Sequence, residues 1–189
     1  MATDRLEAVM KRYLLAEFDE LHRLNSYEYL NEDYSLPEEV ERYLEDMYLE
    51  GFSSAFYLLG MDIEAPNPTF LLAALWATIE GKNFKDRLEE ELTEQEVWRI
   101  ARTEGHRVFV IGQEDGARQA AETSGESIRK VWVSEMDGLE RATHHNLHDN
   151  RQPLDGWFVT PNGRAQRPGT FGVAEEDVNC RCILRFDTD

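Results

Sequence analysis

The chain has 189 residues, 41% of them hydrophobic, and a formal net charge of -18. That length holds one ordinary domain, with or without a helical extension, and the apolar content is enough for a packed core. Strong direct binding to DNA or RNA is disfavoured, because affinity for a phosphate backbone comes largely from Lys and Arg displacing counterions.

No apolar run approaches the roughly 20 residues that cross a bilayer, and Met1-Ala2-Thr3-Asp4-Arg5 lacks the basic start and apolar stretch of a signal peptide. The expectation is a soluble protein made in a cytoplasm. Charge is unevenly spread: residues up to Glu96 carry 23 acidic and 8 basic side chains, the remainder 15 and 12. The acidity therefore belongs to the first half.

That first half reads as helical. Leu6, Val9, Met10, Tyr13, Leu14, Phe18 and Leu21 follow the three-and-four spacing of one helical face, opened by Asp4 and Glu7 as a capping pair. Ser35-Leu36-Pro37-Glu38 starts a second helix, whose stripe is Val40, Tyr43, Leu44, Met47 and Tyr48 and whose stop is Gly60. After a turn at Ala65-Pro66-Asn67-Pro68, the apolar segment Phe70 to Ile79 ends at Gly81. Aromatic residues such as Tyr27, Tyr29, Tyr34, Phe52, Phe56 and Tyr57 crowd this region. They suit either a helical core or a protein-binding surface.

Thr93-Glu94-Gln95-Glu96 is a further capping box. Val97, Ile100, Ala101, Val108 and Ile111 then share a face of a long helix running toward Thr123, where Ser124-Gly125 breaks it. Glu104 falls on that apolar face, where a carboxylate needs a partner, because an unpaired buried charge is expensive. Beyond Gly125 the pattern alternates. Ile128 to Ser134, Trp157 to Thr160 and Val178 to Phe186 read as strands, separated by loops rich in Gly, Pro, Asn and Asp. The expected fold class is α+β: a helical part over residues 1–92, then a long helix packed on a small, mainly antiparallel sheet over 93–189.

Both cysteines lie in Cys180-x-Cys182, which strand alternation would place on one side. His144 and His148, four apart, would share one face of a helix. Two sulfurs and two nitrogens suit a tetrahedral structural zinc; reduced, partly buried thiols beside ordinary polar histidines are the other reading. A disulfide between strand residues two apart would be strained. Asp137, Arg141 and His144 read as a catalytic cluster or as a hydrogen-bonded pin for a loop. Arg141 matches Glu104 as a bidentate partner. The chain has no G-x-S-x-G, H-E-x-x-H, G-x-x-x-x-G-K-[ST] or G-x-G-x-x-G motif.

Taken in order, Ala101-Arg102-Thr103-Glu104, Lys130-Val131-Trp132, Asp137, Arg141, His144, Leu147-His148, Phe158, Pro168-Gly169 and Asn179-Cys180-Arg181-Cys182 resemble the phage Mu F-like, or phage head morphogenesis, family. The likeness covers about Thr93 to Leu184. Leu139 stands where that family often has an Arg, and Asp149 where it has a turn Gly; Asp tolerates the left-handed conformation such a turn needs.

The resemblance implies a structural minor head protein of a tailed virus, not an enzyme, acting at or near the portal vertex. It would reside in the virion, and in the host cytoplasm during assembly. Portal protein, major capsid protein or both would be its partners, with self-association a further option. Glu104, Asp137, Arg141, His144, Asn179 and Arg181 would then form a structural network, with zinc on His144, His148, Cys180 and Cys182 an open option. The rival class is a metal-dependent hydrolase or nuclease using His144, His145, His148 and Asp137.

Overall fold

The computed structural model describes residues 38–62 and 94–188, with side chains from Leu44 to Asp62, at Arg99 and Ile100, and from Arg102 onward. The helix expected over Leu6 to Leu21, the turn at Ala65 to Pro68, the segment Phe70 to Ile79, and Tyr27, Tyr29 and Tyr34 lie outside the described residues.

Helix α1 spans Glu38–Leu59 and buries the stripe Leu44, Met47, Tyr48, Phe52, Ala55 and Phe56. It ends where Gly60 turns left-handed at φ 68°, which lets the Met61 N–H reach back to the Phe56 carbonyl at 3.0 Å. Helix α2, Glu94–Ser124, stops in the same way at Gly125, φ 71°. Both stops fall where the glycines predicted them.

The two helices meet backbone to backbone. A Cβ on Gly51 would come within 1.9 Å of the Phe109 carbonyl oxygen, one on Gly112 within 2.2 Å of the Tyr48 oxygen, and one on Gly116 within 2.5 Å of the Phe52 oxygen. Three hydrogens therefore form the seam, and no side chain fits between the helices there.

The other elements are β1 (Ile128–Val133), α3 (Ala142–His145), β2 (Arg151–Pro153), β3 (Phe158–Thr160), β4 (Gly163–Ala165), α4 (Ala174–Asp177) and β5 (Ile183–Thr188). The α+β class is as expected. Strand β1 is central in an antiparallel sheet of order β2-β1-β5, with Trp132 opposite Leu184 and Lys130 opposite Phe186. Strands β3 and β4 form a separate hairpin around Pro161-Asn162. The short β2 and β4 have too few residues to show alternation.

The last strand starts later than its sequence suggests. Asn179 is left-handed at φ 55°, and the Cys180 N–H turns back to the Asp177 carbonyl at 3.2 Å, so Cys180-Arg181-Cys182 is coil leading into β5. Gln113 of α2 then stands in for a neighbouring strand: its amide accepts from the Leu184 N–H at 3.1 Å and donates to the Leu184 carbonyl at 3.2 Å. One side chain thus covers part of the open edge of β5.

A buried ion cluster joins α2 to the sheet. Glu114 Oε1 takes Arg118 at 2.7 Å and Lys130 at 3.1 Å, while Oε2 lies 3.0 Å from Arg167. Lys130 and Arg118 also donate to the Leu154 carbonyl, at 2.7 and 2.9 Å. Burial pulls the Lys130 ammonium down to about 8 despite Glu114 beside it. Next to Glu114, Asp115 accepts from the Tyr48 hydroxyl at 3.1 Å, which brings α1 into the same cluster.

The seam and the ion cluster each have a measurable stability cost. Alanine is the better helix former by up to ~1 kcal/mol, yet Gly51→Ala will destabilise by about 3 kcal/mol or more, because backbone must move to admit the methyl. Chemical denaturation measures this, and an unchanged or raised midpoint would contradict the seam. Glu114→Gln leaves buried cations without their countercharge and will cost about 3 to 5 kcal/mol; a loss below ~1 kcal/mol would show the cluster to be dispensable.

Candidate functional site

Several residues of the ordered motif converge beside the end of β1 and the coil before β5. From β1, Trp132 is fully buried and its Nε1–H donates to Ser134 Oγ at 3.2 Å. Ser134 in turn donates to the His144 carbonyl at 2.8 Å, which fixes the short helix α3 against the end of β1. The edge of the Trp132 ring meets His144 at 5.2 Å between centroids, and Phe158 and Phe171 pack around the same indole. His144 is thereby held in a largely apolar wall.

Its two ring nitrogens face different chemistry. Nδ1 lies 3.4 Å from Cys182 Sγ and 3.7 Å from Cys180 Sγ. Nε2 lies 2.9 Å from Glu176 Oε2, though the two are not aligned for a hydrogen bond. Glu176 is fully buried at the end of the loop carrying α4, and accepts from Thr143 at 2.9 Å and Asn162 at 3.0 Å. Burial alone would raise its pKa; hydrogen bonds from Thr160, Thr143 and Asn162, with His144 nearby, overcome that and hold it below the usual range.

Both cysteines are free and buried. Cys180 donates toward Cys182, so the first thiol is pushed up and the second is pulled well down, with His144 and Ser134 adding to the effect. Nearby, His106 Nε2–H donates to the Cys182 carbonyl at 2.8 Å, and burial keeps this ring's pKa low. Among the described residues, His144, Cys180 and Cys182 form a group whose ligand atoms could hold a metal ion.

The fourth sequence candidate, His148, does not join them. Helix α3 ends at His145, and the chain turns through Asp149, left-handed at φ 60°, so the four-residue spacing no longer aligns two rings on one face. His148 Nδ1 accepts from the Ser134 N–H at 3.1 Å instead. Asp149 does adopt the conformation that a glycine there would have supplied.

The remaining members of the expected network find nearer partners. Glu104, 1% exposed on the apolar face of α2, pairs with Arg107 one turn on. Arg141, read from sequence as the match for Glu104, donates to the Val178 carbonyl. Thr103 accepts from the Asn179 N–H at 3.1 Å, which ties Ala101-Arg102-Thr103-Glu104 directly to Asn179-Cys180-Arg181-Cys182. Arg181 grips Asp137 with two bonds of 2.7 and 2.9 Å at the surface. Asp137, His144, His145 and His148 therefore face separate partners: Asp137 faces Arg181, His144 the thiols, His145 the exposed Glu140 contact and His148 the Ser134 amide.

Sequence reading missed Glu176 and Asp177. Glu175-Glu176-Asp177 looks like a solvated acidic run, but the loop turns the last two inward. Asp177 accepts from the Phe171 and Gly172 N–H groups at 2.9 and 2.7 Å, while burial raises its pKa against those bonds. No local pattern separates such a loop anchor from an exposed acid.

The chain has counterparts among known proteins. The chain is similar to a phage minor head protein. It is 38% identical over 90 residues to the minor head protein GP7 of Bacillus phage SPP1, a stretch covering 47% of this chain and 29% of that protein. It is also 36% identical over 108 residues to the NAD(+)--arginine ADP-ribosyltransferase EFV of Enterococcus faecalis, covering 54% of this chain and 22% of that protein. The match thus spans less than a third of either relative's length. No protein-family model matches the chain, and no solved structure does. Among the described residues, no helix is long and apolar enough to cross a membrane.

The surface pair gives a pH test. Its hydrogen bond to Arg181 and the Leu139 N–H hold the Asp137 carboxyl at about 2, below the ordinary 3.8. A depressed folded-state pKa adds stability that is present above the unfolded value and is lost as pH falls through the folded one. The Asp137 carboxyl-carbon resonance should therefore titrate near the lower limit in the native protein and move up toward the ordinary value in Arg181→Met. Titration at the ordinary value in both proteins would dissolve the pair.

Proposed function

We propose that this protein is a structural minor head component of a tailed virus. It would be carried in the virion and act in head assembly at or near the portal vertex. The observation that carries this reading is the likeness to the SPP1 minor head protein, joined to the physical coherence of the motif. Thr103, Lys130, Trp132, His144, Gly169, Asn179 and both cysteines support one packed region of the fold.

Its surface charge fits such a place. With a net charge of -18, concentrated before Glu96, the chain is repelled by DNA packed in a head, whereas an acidic segment can dock on basic or apolar protein surfaces. We assign the partner contact to residues 1–92, within which helix α1 is also packed into the fold against α2, and the scaffold to 93–189, with portal or major capsid protein as the partner and self-association as an additional contact. The hydrolase or nuclease alternative has less support, since His144 is sealed among thiols and Trp132 while Asp137 is engaged by Arg181. Metal-assisted hydrolysis needs a metal position that substrate can reach and a base directed at the reacting atom, whereas His144, Cys180 and Cys182 are all buried.

The test is co-expression of the full chain with the portal protein encoded in the same genome. Co-elution of the two on gel filtration, lost when residues 1–37 are removed or their acids neutralised, is the expected result. Separate elution from both portal and major capsid protein, or cleavage of DNA by the purified chain with added metal, would refute the proposal.

A further inference from the structure

Two thiols and one imidazole nitrogen meet at a single buried point. The three ligand atoms lie within 4.8 Å of one another, and His144, Cys180 and Cys182 are 2%, 4% and 3% exposed. In a tetrahedral zinc site, zinc–sulfur bonds of about 2.3 Å and zinc–nitrogen bonds of about 2.0 Å put each sulfur roughly 3.5 Å from the nitrogen. The distances found, 3.4 and 3.7 Å, bracket that separation.

A purely hydrogen-bonded account fits less well. Nδ1 has one lone pair or one proton, yet two sulfurs face it. On the opposite side of the ring, Glu176 Oε2 lies 2.9 Å from Nε2, so the ring presents its other nitrogen, Nδ1, to the two sulfurs. A carboxylate behind a ligating histidine is the common outer arrangement of zinc sites, where it fixes the ring and raises its basicity. Thr143 and Asn162 hold that carboxylate in turn. Sulfur and imidazole donors also select a soft or borderline ion over magnesium or calcium, which require oxygen ligands.

We propose that His144, Cys180 and Cys182 bind one zinc ion per chain, with Glu176 positioning the histidine and water completing the coordination. Ser134 Oγ, 3.5 Å from Cys182 Sγ, is occupied by the Trp132 indole and the His144 carbonyl and serves as a support. The ion joins α3 to the coil that leads into β5, two segments more than thirty residues apart in sequence. It acts as a cross-link in a chain that has no disulfide among its described residues.

Purified full-length chain, kept reduced, should retain zinc in a near one-to-one ratio by elemental analysis. Chelation should lower its melting temperature by several degrees, with recovery on adding zinc but not magnesium. Cobalt(II) replacement should produce a sulfur-to-cobalt charge-transfer band and the intense visible bands of four-coordinate cobalt. Glu176→Gln should fold and bind zinc about 10- to 100-fold more weakly, and Cys180→Ser should lose the charge-transfer intensity of one thiolate. Because the substituted proteins could fail to fold, the deciding measurements are those on the unaltered chain. Absence of zinc after equilibration with it, or both thiols reacting freely in the zinc-equilibrated native chain, would each overturn the assignment.

Discussion

Glu114 is the carboxylate on which the rest of the fold turns. It is fully buried, and its two oxygens are shared among Lys130, Arg118 and Arg167, which arrive from β1, α2 and the loop after β4. A buried charge with poorly placed partners costs several kcal/mol, so these contacts select one arrangement of helix against sheet. Lys130 and Trp132 lie two residues apart on β1 and point the same way. The register set by the lysine therefore also decides where the indole edge meets His144, and with it the position of the thiol–imidazole group.

Much of this was legible in the sequence where local physics governs. Helices α1 and α2 announce themselves through apolar spacing, capping residues and terminal glycines, and β1 through alternation. Glu104 was recognisable as a buried acid because its place on an apolar face is a local fact. Its partner was not: a guanidinium one turn away on the same helix was available before the distant Arg141.

The site was legible in membership more than in geometry. His144, Cys180 and Cys182 come together as their residue types suggested, but strand alternation is not what aligns the thiols; a turn at Asn179 does. His148 was misplaced because a spacing of four has meaning only while the helix continues, and α3 has four residues. Glu176 was invisible because its burial depends on Thr143 and Asn162, both remote in sequence. The resemblance to head proteins, read from the order of many weak signals, has support in the likeness to the SPP1 minor head protein over about half of the chain.

The glycine seam between α1 and α2 carries a mechanical consequence. A layer of side chains between helices can absorb a displacement by changing rotamers; backbone atoms in direct contact have no such freedom. A load applied to residues 38–62 would pass through Gly51, Gly112 and Gly116 into α2, and from there through Gln113 and Glu114 to β5 and β1. Helix α1 thus behaves as a stiff handle on the sheet, suited to transmitting a push or pull received at the acidic end of the chain.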